Sequence, residues 1–122
     1  MHGFSPELNI EGFVNEELQQ ICLGKFDLQF RFSSGTLISV QNKVRLLHAG
    51  LLSASWTEEN GWDCVEFHAL LNVKVSRYEV IDESLLQIEF HDGLLLEFID
   101  DSDQYESMQI YPLGDVSKLI VI

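Results

Sequence analysis

The chain has 122 residues, 46% of them hydrophobic, and its seven Lys or Arg against twenty Asp or Glu give a formal net charge of −13. That length makes one domain with a core of its own. A field of this sign serves solubility in any acidic protein; where it serves binding, it repels nucleic acid and anionic membranes and steers basic proteins inward.

The acidic excess lies in the second half: residues 1–61 hold seven acidic and four basic residues, residues 62–122 thirteen and three. Met1 to Glu7 has neither the basic n-region nor the apolar h-region of a signal peptide, and no apolar run approaches the roughly 20 residues of a membrane span. The expectation is a cytoplasmic protein. Cys22 and Cys64 are too few for a disulfide framework and are expected as free thiols, with Cys22 a small core residue in Ile21-Cys22-Leu23.

In chain order, Ser5-Pro6 can start a helical turn, and Leu18 to Leu23 reads as a first strand. Phe26, Leu28, Phe30 and Phe32 then alternate with Asp27, Gln29 and Arg31, the pattern of a half-buried strand. Ser33-Ser34-Gly35 turns the chain, and Thr36 to about Leu47 returns as one strand. Residues 50–62 are the least regular part and read as a linker. Asp63 followed by Glu66 fits a capping box for a helix over 63–71, with Val65, His68, Ala69 and Leu71 as its buried stripe. Val73 to Ile81 is β-like, and Leu86 to Phe90 turns at His91-Asp92-Gly93 into Leu94 to Phe98, a strong hairpin signal. Tyr105 to Tyr111 and Leu119 to Ile122 are further strands, separated by a turn at Pro112 to Asp115.

These elements predict a mainly β (α+β) domain over 1–122, with about eight antiparallel strands and one or two short helices, folded as a sandwich or a partly open barrel. They also predict an internal duplication. Leu28 to Leu37 is echoed by Leu86 to Leu95, and Phe13-Val14-Asn15 by Leu70-Leu71-Asn72, so two repeated three-stranded meanders span about 5–49 and 62–110. Phe30 and Phe32 should occupy places equivalent to Ile88 and Phe90.

Chemistry-bearing motifs are sparse. His2, His48, His68 and His91 have no metal-site spacing, and Cys64 with His68 lacks both further ligands for zinc and an orienting residue for nucleophilic catalysis. Asp100 to Glu106 is dense in carboxylates but does not place the Gly and Glu of a calcium loop. No catalytic residue, metal or cofactor is indicated, and the expectation is a protein that is not an enzyme. Asp100, Asp101, Asp103 and Glu106 around Tyr105 instead form an exposed acidic turn with one aromatic anchor, suited to a basic partner. Trp56 beside Glu58 and Glu59 is a second candidate patch, although tryptophans ending a polar loop more often fold back onto the core.

Leu18 to Phe26, Leu70 to Val75, Phe90 to Gly93 and Asp101 to Ser107 together resemble a widespread bacterial family of small, uncharacterised β-rich proteins, over roughly residues 8–111. The resemblance implies a β-rich fold and no particular activity. By analogy with other small acidic proteins, it suggests an immunity protein that neutralises a basic nuclease toxin by covering its active site. The alternative is a small-molecule or enzymatic β-barrel with His68 or Glu66 in its cavity.

Overall fold

The computed structural model of the protein describes residues 3–57, 65–100 and 108–122. Ten strands occur among them: β1 (Leu18–Leu23), β2 (Leu28–Phe32), β3 (Leu37–Val40), β4 (Lys43–His48), β5 (Leu51–Thr57), β6 (Val75–Asp82), β7 (Leu85–Phe90), β8 (Leu94–Ile99), β9 (Met108–Tyr111) and β10 (Ile120–Val121). The described helical structure is confined to 3₁₀ turns at Val65–Leu70, His91–Gly93, Pro112–Gly114 and Val116–Lys118. The domain is therefore mainly β, in two antiparallel sheets of order β1-β2-β3-β9-β10 and β6-β7-β8-β4-β5, not closed into a barrel.

Period-two alternation drives this arrangement. Leu28, Phe30 and Phe32 of β2 and Leu86, Ile88 and Phe90 of β7 are buried, while the residues between them are more exposed. The two apolar faces meet as a sandwich, where Phe30 packs edge-on against Phe98 (5.7 Å) and Phe32 stacks on Phe90 (6.5 Å).

Several expectations are corrected. The run from Thr36 to Leu47 is two strands, because the chain breaks at Gln41-Asn42 and β4 leaves the first sheet to pair with β8 in the second. Apolar alternation carries no label for which sheet it faces. Residues 51–57 are not a linker but β5, held by pairing with β4 despite two serines of weak strand propensity. The helix expected over 63–71 is, among the described residues, a 3₁₀ turn at Val65–Leu70, in which Phe67 and Leu70 are buried, an i, i+3 pair of a three-residue period. His68 and Ala69 are exposed and Leu71 is half-buried. Phe26 precedes β2 in the turn that the Gly24 amide closes on the Asp27 carbonyl, and it is 60% exposed with the Lys25 ammonium over its ring. Cys22 is a free thiol opposite Gln29 on β2, half-buried rather than a core residue.

Strand order in the two sheets is interchanged when each of β1 to β5 is exchanged with β6 to β10. Each half contributes a meander to one sheet and then sends a hairpin, β4-β5 or β9-β10, into the other. The equivalence extends to single hydrogen bonds. Glu17 and Lys74 form an isolated bridge, and about it the Asn15 amide donates to the Val75 carbonyl (2.8 Å) as the Asn72 amide donates to Leu18 (2.7 Å). The Leu18 amide donates to Val73 (3.1 Å) as the Val75 amide donates to Glu16 (2.8 Å). Positive φ recurs in matched pairs: Asn15 and Asn72 at 72° and 67°, Ala49 and Leu113 at 53° and 56°. Phe32 and Phe90 occupy corresponding register positions, opposite Leu18 and Val75.

Candidate functional site

Of the residues that the sequence offers as partner-binding, Glu58, Glu59, Asp101, Asp103, Tyr105 and Glu106 lie outside the described residues. The other two are buried. Trp56, on β5, is 1% exposed against the core, and its indole Nε1 has no acceptor among the described residues. Asp100 is 5% exposed, directly after β8. Neither belongs to an open surface.

Asp100 is instead a clamp. Its Oδ2 accepts from the Gly3 amide (2.6 Å), and its own amide donates to the Ser84 carbonyl (2.9 Å). Its Oδ1 is buried and has no hydrogen-bond partner among the described residues. The Ser84 amide donates to Asp82 Oδ1 (2.7 Å), closing an Asx turn between β6 and β7, and the Phe4 amide donates to the Glu83 carbonyl (2.7 Å). Three distant pieces of chain thus meet at one end of the second sheet: residues 3–6, the β6-β7 turn, and the start of the acidic run.

A shallow depression of about 390 Å³ lies there, lined by Gly3 to Pro6 and Val80 to Glu83. Ile81 is 47% exposed beside it, and the Asp82 and Glu83 carboxylates are exposed around it. Glu79 extends the acidic surface along β6. Arg77 offsets part of it, since its Nη1 donates to Glu79 (3.3 Å) and its Nε to Glu89 (2.9 Å), and the two carboxylates raise the guanidinium pKa above its ordinary value. No described cation bonds Asp82 or Glu83. The arrangement is an apolar centre with an acidic rim, able to contact a basic surface.

Sequence reasoning passed over Glu79, Ile81, Asp82 and Glu83. The available signal was Asp82-Glu83-Ser84 read as a strand-connecting turn of the same kind as His91-Asp92-Gly93. Among the described residues no group of three or more His, Cys, Asp or Glu could hold a metal, and no helix is long and apolar enough to cross a membrane. His68 lines a shallow groove with Gln19, Ile21 and Phe67, on the outside of the sandwich rather than in a barrel cavity. No protein-family model, curated protein or solved structure matches the chain.

Proposed function

We propose that this chain is a protein-binding module for a basic partner, most concretely an immunity-type inhibitor that covers the active site of a nuclease toxin domain. The observation that carries the reading is the acidic, Ile81-centred end of the second sheet, where the β6-β7 turn is hydrogen-bonded to the start of the Asp100 to Glu106 run. Carboxylates in that setting stand in for nucleic-acid phosphates and accelerate encounter, while the apolar centre supplies residence time. The matched pairs of turns and hydrogen bonds support a companion reading, that the two halves descend from one duplicated unit. The resemblance to a bacterial family belongs to the same proposal.

The test is co-purification with a basic nuclease domain, followed by association kinetics across ionic strength. Asp82→Asn with Glu83→Gln is expected to lower the association rate about tenfold at low salt and to flatten its salt dependence, since rim charges act on encounter. Ile81→Ala is expected to raise the dissociation rate instead. The fold should survive both, because exposed charges add little stability. An unchanged association rate and salt slope in the double variant would exclude this surface as the contact.

A further inference from the structure

The β1-β2 and β6-β7 turns join the first two strands of their meanders and are secured differently. Residues 24–27 are closed from within, by the Gly24 amide donating to the Asp27 carbonyl (2.9 Å), and no described segment outside β1 and β2 hydrogen-bonds to them. A meander of this kind therefore closes without outside support. The acidic β6-β7 turn has its own bond too, from the Ser84 amide to Asp82 Oδ1 (2.7 Å), but it is also gripped from two distant parts of the chain. Its Glu83 carbonyl accepts from the Phe4 amide (2.7 Å), and its Ser84 carbonyl accepts from the Asp100 amide (2.9 Å). The Gly3 amide then donates to Asp100 Oδ2 (2.6 Å), which joins the two grips into a ring.

Both ends of that closing bond are specialised. Gly3 has a left-handed φ of 99°, and a Cβ there would lie 3.1 Å from the Glu83 carbonyl oxygen and 3.3 Å from Glu83 Cβ. A side chain at this position would strain the backbone and push strap and turn apart. Asp100 is a buried carboxylate whose one described side-chain bond is to Gly3, so it acts here on the backbone and not on solvent. We infer that Gly3 and Asp100 are positioning residues for the acidic turn: they hold the backbone of Asp82 to Ser84 in one conformation before a basic partner arrives. A segment already ordered loses less entropy when it is bound. The inference rests on the proposed reading for its use in binding, while the ring itself stands on the geometry of the free chain.

Gly3→Ala and Asp100→Ala open the ring from opposite ends, and the first changes no charge. In the full chain, with no partner present, each should speed hydrogen exchange of the backbone amides at positions 4 and 100 by about tenfold or more. Each should also lower the backbone order parameter of Glu83. Amides of β7 and β8 away from the turn should stay within about twofold of the wild type, since the change is local. Asp100→Asn keeps an oxygen for the Gly3 amide and should restore the wild-type pattern, which a mere need for charge at this position would not allow. Should Asp100→Ala unfold, Gly3→Ala still reads the ring. Unchanged exchange and order about the turn in folded Gly3→Ala overturns the inference, and so does a loss of protection spread evenly through β7 and β8, because the bonds would then serve the fold alone. No partner enters these measurements, so their outcome is separate from whether the surface binds a basic nuclease domain.

Discussion

The turn between β2 and β3 and the turn between β7 and β8 occupy equivalent places and are held in opposite ways. In the first, the Ser34 amide and the Thr36 hydroxyl both donate to the Glu16 carboxylate, and the Leu113 amide donates to Thr36 Oγ1 (3.0 Å). Glu16 and Thr36 are buried. In the second, Val73 stands where Glu16 does, Asp92 where Ser34 does, and Leu94 where Thr36 does. That turn closes on itself as a 3₁₀ turn with the exposed Asp92 at φ 70°. One backbone frame is thus supported by a buried polar network on one side and by local turn geometry on the other. A network of this kind is tolerated because its members satisfy one another.

The comparison predicts where the halves behave alike and where they part. The largest effect should be shared. Phe32→Ala and Phe90→Ala each open a cavity at the stacked pair between the sheets and should each cost about 3–5 kcal/mol in urea denaturation. As the rings touch, the double variant should cost less or more than the sum by about 0.5–3 kcal/mol. A loss confined to one variant would mean that the sheets do not unfold as one unit.

A smaller effect should separate the halves. Glu16→Val makes the first half resemble the second at this point, but it removes the acceptor of the Ser34 amide without the local geometry that Asp92 provides, and it leaves the buried Thr36 hydroxyl only the Ser34 hydroxyl (3.1 Å) to donate to. Losing the acceptor of partly buried donors costs about 1–3 kcal/mol. Thermal or urea unfolding of the variant checks this. If stability is unchanged, the carboxylate network is incidental and the two turns are supported in the same way after all.

What the sequence discloses follows from which forces are local. β2, β7 and β8 were legible because alternation and a turn glycine are written within ten residues of each other. The antiparallel meanders β1-β2-β3 and β6-β7-β8 were legible for the same reason. The passage of β4 into the second sheet was not legible, because Val44 and Leu46 satisfy an apolar face whichever sheet supplies it. β5 was missed for a related reason: its serines are poor strand formers, and only its pairing with β4 gives Ala54 and Trp56 an inside. At the candidate site, composition pointed to the acidic run from Asp100 onward, and Asp100 itself is buried. An aspartate accepting backbone amides looks the same in a sequence as one facing water. The contribution of Asp82 and Glu83 depended on the β6-β7 turn meeting residues 3–6 and Asp100, a contact across the whole chain length.

The smallest predicted effect is also the sharpest test of equivalence. Asn15 and Asn72 sit at matched left-handed positions, with φ of 72° and 67°, and each donates its backbone amide across the Glu17–Lys74 bridge to the opposite half. Neither side chain has a described hydrogen bond, so replacing it leaves the reciprocal amide bonds formally intact and changes only the ease of reaching positive φ. Asparagine tolerates that region better than alanine does, so Asn15→Ala and Asn72→Ala should each destabilise by about 1 kcal/mol. Glycine has no Cβ to strain, and Asn15→Gly and Asn72→Gly should lose less, the remaining loss coming from the unfolded chain's extra freedom. The telling quantity is the ratio between positions. Equal alanine costs mean that the backbone about the bridge is strained alike on both sides. If one position is indifferent to alanine while the other is not, the amide pattern is a coincidence of two unlike turns rather than a two-fold element.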